Sequence, residues 1–276
     1  NNPNLTCINV DDSTYSTNNW TNIDVQHYFS NNCSGGISNL LKTYVPDDNF
    51  EQALINLGYD DVLDDSVLTS SIDTVTYLDI HNEGIGDLTG IEGFTALTWL
   101  NCGDNHPDTL DFSQNIALTI LYCYGNQSSS LNVSQNIALT ELWCESNYLT
   151  SLDVSTNTVL TYLDCPYNQL TSLDVSNNTA LITLACQHNQ LTILDLSANT
   201  ALTHLYCDNN NLDTLVVSNN TALTHLYCDG NQLNSLDVSN NTALTALYCG
   251  GNQLINLDVS GASALTFLDC SANQLT

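Results

Sequence analysis

The sequence predicts an α/β-type repeat solenoid whose coils stack a parallel sheet along one side, and three observations predict it. Nine of the eleven cysteines, Cys102, Cys123, Cys144, Cys165, Cys186, Cys207, Cys228, Cys249 and Cys270, follow one another at intervals of 21 residues. Nine asparagines, Asn105 through Asn273, keep the same interval three residues later. Each cysteine closes an alternating x-Leu-x-Cys-x segment, the pattern of a strand with one face inside. A fixed period of this size is the mark of stacked coils. The coil from Leu181 has the apolar set Leu181, Leu184, Cys186, Leu191, Leu194, Leu196 and Ala201. It cannot bury that set alone, so neighbouring coils share a continuous core. At a strand spacing of about 4.8 Å, nine or ten coils make a rod about 45 Å long.

The unit Leu-x-x-Leu-x-Cys-x-x-Asn-x-Leu, as in Leu202, Leu205, Cys207, Asn210 and Leu212, resembles the leucine-rich repeat, with cysteine at an inward position usually held by leucine. The resemblance runs from about Val75 to the last residue and implies a parallel concave sheet, an irregular convex side and a short helical N-terminal cap. The half-unit Leu173-Asp-Val-Ser-Asn-Asn-Thr-Ala-Leu181 looks like the short repeats of secreted proteins from marine Bacteroidetes-type (flavobacterial) bacteria. The first unit differs: Leu78 to Leu100 spans 22 residues, Glu83 replaces the asparagine, and Asp87-Leu-Thr-Gly90 fills its loop. That unit resembles the repeats of internalin-type bacterial adhesins. The asparagine of each unit is expected to turn inward and bond loop backbone that would otherwise be buried unpaired.

Taken in chain order, residues 1–42 read as the closing cap of a preceding array followed by a linker. Asn4 to Val10 looks like the strand of a last repeat, an irregular stretch runs from Trp20 to Phe29, and Ser34 to Asn39 is the linker. Cys7 and Cys33 fall off the 21-residue beat and are expected to form a disulfide in an oxidising compartment. Residues 43–74 read as a helical cap. Pro46-Asp-Asp-Asn opens a helix, Phe50, Ala53, Leu54 and Leu57 form its apolar stripe, and Gly58 stops it. Residues 75–276 are the array, about ten coils with the last incomplete. Leu265, Leu268 and Leu275 at that end and Leu5, Ile8 and Val10 at the other are candidate assembly ends, stacking head-to-tail on another copy or a neighbouring array. The absence of methionine and of a signal peptide reads as a processed or excised piece.

Charge narrows the function. The chain carries 30 Asp+Glu against one Lys or Arg, a net −29. A single cation, Lys42, cannot neutralise a phosphate backbone, which excludes nucleic acid and attraction to anionic lipid. No apolar run is long enough for membrane insertion. No nucleophile elbow, phosphate-binding glycine loop or metal-binding helix is present, so the chain reads as no enzyme.

The candidate site is the outward side of the strands, where Trp99, Tyr122, Trp143, Tyr162, His204, Tyr206, His225, Tyr227 and Tyr248 flank the inward Leu and Cys. Exposed aromatic rings give large contact area at low entropic cost. They suit a surface-protein partner or a glycan. His204 and His225 fall on adjacent strands as neighbours. Across the coil runs an acidic column, Asp111, Asp153, Asp174, Asp195, Asp237 and Asp258, where Asp153, Asp174 and Asp195 are candidates for weak calcium binding. No other cofactor is expected. A threonine column, Thr98 through Thr266 broken by Ile182, is the basis of a minor ice-binding reading. The leading expectation is a non-catalytic, secreted or cell-surface scaffold for adhesion or for assembly into an extended or filamentous structure. A glycan-binding module using the aromatic face is the alternative.

Overall fold

The computed structural model describes residues 41–276 and, before them, two short strands, β1 (Cys7–Asn9) and β2 (Tyr28–Ser30). These two pair in parallel with Cys7 opposite Tyr28, an offset of 21 residues. The Cys7–Cys33 disulfide, the linker, and the side chains of Leu5, Ile8 and Val10 lie outside the described residues.

The cap is built on β3 (Lys42–Tyr44) and β4 (Ser66–Leu68), an antiparallel pair bracketing helix α1 (Asp48–Leu57); a four-residue helix, α2 (Thr69–Ile72), follows. Asp47 starts α1, its Oδ1 accepting the N–H of Asn49 and Phe50 at 3.0 and 2.9 Å. Its Oδ2 accepts the N–H of Gly86 and Asp87 at 2.9 and 3.0 Å, so one carboxylate ties the helix to the first coil. Glu51 is fully buried and holds the loop before β4 by accepting the N–H groups of Asp64, Asp65 and Ser66. Phe50, Ala53 and Leu54 are buried as the helical spacing requires, and Phe50 stacks on Phe94. Leu57 is not: it is 47% exposed. The helix ends one residue later on the left-handed Gly58, and Tyr59 past that turn packs edge-on against Phe94 instead.

The array hangs on one ten-stranded parallel sheet in unbroken chain order. Its strands are β5 (Tyr77–Asp79), β6 (Trp99–Asn101), β8 (Ile120–Tyr122), β10 (Glu141–Trp143), β11 (Tyr162–Asp164), β12 (Thr183–Ala185), β13 (His204–Tyr206), β14 (His225–Tyr227), β15 (Ala246–Tyr248) and β16 (Phe267–Asp269). Tyr77 pairs with Trp99, the 22-residue step of the first unit, and every later pairing steps by 21. On the opposite side of the coil the only regular pairing among the described residues is β7 (Thr109–Asp111) with β9 (Ser130–Asn132). This is a leucine-rich repeat solenoid with a concave parallel sheet and an irregular convex side.

Inside, Leu and Cys of each strand are buried from Leu100 and Cys102 through Leu247 and Cys249. Ala201 is exposed, because the turn that closes its coil is carried by the neighbouring Asn199 rather than by apolar packing. Asn168 shows what the asparagine column does. Its Nδ2 donates to the Cys144 carbonyl of the preceding coil at 3.0 Å and to the Cys165 carbonyl of its own at 3.2 Å. Its Oδ1 accepts the Leu149 N–H at 3.0 Å. One amide thus serves backbone groups of two coils. The residue two past each cysteine is left-handed, with φ of 49–65° from Asp104 to Ala272. Six of those nine are not glycine, a conformation costing about 1–2 kcal/mol each, and the amide ladder holds them there.

A second asparagine column, unforeseen from the sequence, runs down the convex turns: Asn115, Asn136, Asn157, Asn178, Asn199, Asn220 and Asn241, all fully buried. Asn178 Nδ2 donates to the Val154 and Asn157 carbonyls of the preceding coil at 2.9 Å each. The column ends at Ala262.

Asn168→Ala should lower unfolding stability by about 2–4 kcal/mol, since buried backbone groups left unpaired cost about 1–3 kcal/mol each. Exposed Gln169→Ala should stay within about 0.5 kcal/mol. Urea unfolding of the two variants makes the comparison.

Candidate interaction face

The outward positions of the sheet are filled by rings that stack along the rod. Tyr77, Trp99, Tyr122, Trp143 and Tyr162 form one ladder with centroid separations of 4.2, 5.4, 5.5 and 4.3 Å. It does not follow a single column: it starts in the position before the inward leucine, crosses to the position after it at Tyr122, and returns at Tyr162. Tyr206, Tyr227, Tyr248 and Phe267 form a second ladder, separated by 4.9, 4.2 and 4.5 Å. Every expected ring of this face is therefore in contact with another. Tyr77 and Phe267, absent from the expectation, extend the ladders at either end. The position period was the available signal for both.

His204 and His225 are stacked at 4.6 Å with 10° between their planes, and each Nδ1 meets the hydroxyl of the threonine before it. Their in-plane lone pairs run parallel and cannot converge on one ion. Burial and the neighbouring imidazole hold His204 below the ordinary histidine range.

Between the ladders lies β12, whose outward residues are the small Thr183 and Ala185. Beside it Asp164 is 7% exposed, and its Oδ1 is buried with no hydrogen-bond donor. The Tyr162 hydroxyl stands 3.4 Å from its Oδ2. Burial first, then the nearby Glu145 carboxylate, push Asp164 up to about 7. Trp143 Nε1 and Gln187 Oε1 are also buried without partners on the flanking coils. The pairing was illegible in the sequence, where Asp164 only interrupts an aromatic column.

The acidic convex column has a local task. Asp153, Asp174 and Asp195 are exposed, and each Oδ1 accepts the N–H of the serine two residues on at 2.9 Å. The serine N–H and hydroxyl hold these carboxyls below the usual range. Among the described residues no group of three or more His, Cys, Asp or Glu side chains is placed to hold a metal ion. The column caps turns, and the expected calcium finds no converging ligands there. The threonine column is likewise occupied: Thr119, Thr140 and Thr161 hydroxyls donate to the carbonyl of the equivalent residue one coil back.

The nine array cysteines are free, and eight are fully buried. Cys270 is half-buried, because no coil among the described residues covers β16. Desolvation pushes the eight buried thiols up, Cys186 and Cys249 to about 12. At the same edge Leu268 and Leu275 are 40% and 39% exposed, and Leu265 is half-buried. No helix among the described residues is long and apolar enough to cross a membrane.

Parallel strands with leucine and cysteine inward, and an asparagine bonding each turn to the next, define a leucine-rich repeat protein. Within that class the chain is internalin-like. It is 42% identical over 72 residues to internalin J of Listeria monocytogenes serotype 4b (strain F2365) and 41% identical over 106 residues to internalin J of serovar 1/2a (strain EGD-e). These stretches cover 26% and 38% of this chain but 8% and 12% of the relatives. Among solved structures, the functional domain of InlJ from Listeria monocytogenes, which includes a cysteine ladder, superimposes with a TM-score of 0.69 at 39% identity, over 85% of this chain and 58% of that one. No family model matches the chain.

Two outcomes follow from the burial. Under native conditions a thiol-alkylating reagent should label Cys270 well before the eight buried ladder cysteines, which should react only on unfolding; peptide mass spectrometry reads the order. Asp164 binds its proton more tightly folded than unfolded. Its contribution to stability is therefore full below the ordinary carboxylate pKa of 3.8 and lost as pH rises through about 7. Asp164→Asn should accordingly melt higher relative to the parent as pH rises across that window, and an unchanged difference in thermal melts would refute the raised pKa of Asp164.

Proposed function

We propose that this segment is a non-catalytic, extracellular protein-interaction scaffold that binds its partner on the concave aromatic face. The observation that carries the reading is the pair of aromatic ladders, nine rings on one sheet face with none of them in the core. Packing rings against each other holds them rigid before a partner arrives, which lowers the ordering cost of binding. The internalin J likeness supports a bacterial surface or secreted location and adhesion as the task. A Bacteroidetes-type source, which the Leu-Asp-Val-Ser half-unit resembles, belongs to the same proposal. So does head-to-tail stacking through Leu265, Leu268 and Leu275 onto Leu5, Ile8 and Val10 of another copy or a neighbouring array. A glycan partner would use the same face, since sugar rings also stack on aromatic side chains.

The test replaces Trp143, Tyr206 and Tyr227 together with Ser. Beads coated with the parent should adhere to cultured host cells, and the triple variant, checked for an intact fold by circular dichroism, should lose at least about nine-tenths of that adhesion, as removal of central aromatic anchors does elsewhere. A glycan array probed with both proteins separates a sugar ligand from a protein one. Adhesion unchanged in the triple variant would move the site off this face.

A further inference from the structure

The charge of the concave face points beyond its aromatic character. The chain has one Lys or Arg in 276 residues, and that one, Lys42, lies in the cap, paired with Asp64 at 2.6 Å. No carboxylate of the concave face has a lysine or arginine of its own chain to pair with. Those carboxylates are concentrated around the break in the aromatic ladders: Glu141 and Glu145 on one side of β12, Asp208 and Asp229 on the other, with Asp164 between.

The break itself has the shape of a cation seat. Tyr162 gives one ring face to Trp143, so its other face looks toward β12. Tyr206 gives one face to Tyr227, so its other face looks toward β12 from the opposite side. The strand between carries only Thr183 and Ala185 outward. In register across β12, Asp164, Ala185 and Tyr206 form one row and Tyr162, Thr183 and His204 the next, so the free face of Tyr206 looks over the small Ala185 toward Asp164 across two strand spacings, about 9.6 Å, which admits one planar group. Asp164, 93% buried by its 7% exposure, stands beside that position with its Oδ1 unpartnered. A carboxylate so placed is stable only with a proton or a cation. Ring faces attract cations through their quadrupole, and a guanidinium can stack on a ring while forking onto a carboxylate.

We propose that the partner is a cationic polypeptide segment, and that one of its arginine or lysine side chains seats over Ala185 against the free face of Tyr206, paired with Asp164 and Glu145. This rests on the reading of the concave face as the binding face and names the chemistry of what binds there. The incoming cation displaces the proton held by Asp164. The titratable groups facing Asp164 are Glu145 beside β10 and the Tyr162 hydroxyl on its own strand, with Glu141 and His204 in the adjacent row; from β12 there is none that titrates. Further along the sheet stand His204, His225 and His188, of which His204 is held below the ordinary histidine range.

The experiment is a titration of the intact chain, followed by tryptophan fluorescence and calorimetry at near-physiological salt, with a short Arg-Gly peptide and with the same peptide carrying neutral citrulline for arginine. Two variants of equal charge change are compared: Glu145→Gln with Asp164→Asn on the concave face, and Asp153→Asn with Asp174→Asn on the convex face, where asparagine keeps the turn-capping oxygen as Asn132 does. The arginine peptide should bind and the citrulline peptide should not. E145Q/D164N should weaken binding about tenfold, the size of a lost cation–π and charge pairing, and D153N/D174N by less than about twofold. Affinity for the parent should rise from about pH 6 to about pH 8, and more steeply than for E145Q/D164N. Should the double variant melt, E145Q alone, at a half-exposed position, carries the same comparison. Equal weakening by the two variants, or equal binding of the citrulline peptide, overturns the proposal by reducing it to diffuse charge. Failure of the arginine peptide to bind, with adhesion still lost in the Trp143, Tyr206 and Tyr227 variant, overturns this proposal while the binding face stands; adhesion retained in that variant removes the face itself.

Discussion

Everything in this molecule depends on buried asparagine amides bonding one coil to the next. A coil of 21 residues turns sharply at both ends of its short strand, and a turn that is buried by its neighbours has backbone N–H and C=O groups with no access to water. Asn168 and its equivalents take up two carbonyls and one N–H each, bridging two coils. Asn178 and its equivalents do the same for carbonyls on the convex side. No other small side chain offers two donors and an acceptor in that geometry. The amides therefore dictate that the coils stack in register, and the register places the leucines, the cysteines and the outward rings in columns.

Register then creates both opportunity and tension on the outer surface. Equivalent positions lie one strand spacing apart, close to the separation at which aromatic rings stack, so a repeated Tyr or Trp becomes a ladder. The same spacing makes a repeated carboxylate a row of like charges. The convex aspartates meet this by staying exposed and bonding turn N–H groups. Asp164 cannot, because it is buried beside Tyr162, and with Glu145 near it holds its proton up to about pH 7. The cysteine column is the inward counterpart: a small side chain that fits where two coils approach, kept as neutral thiol by the absence of water.

Much of this was legible from spacing. The 21-residue beat, the inward Leu and Cys, the amide role of the Asn105-to-Asn273 column and the 22-residue first step all stand in the structure as read. The second asparagine column kept the same beat and was overlooked, because Asn-rich loops read as exposed turns. Leu57 satisfied the helical spacing and yet is exposed, because a helix stripe says which side faces inward and not how far the core extends beneath it. Periodicity likewise aligns the convex carboxylates, but it does not aim them at one point.

The sequence by itself determined the coil, its period, the ring-bearing face and the scarcity of positive charge, since each is a property of one repeat multiplied. Only the tertiary structure decided which rings touch, that the ladder steps sideways at Tyr122 and Tyr162, that it breaks at β12, and that Glu145 meets Asp164 there. Those are relations between different coils at positions where the repeat is violated, and a one-dimensional pattern carries no information about how side chains from two unlike coils settle against each other.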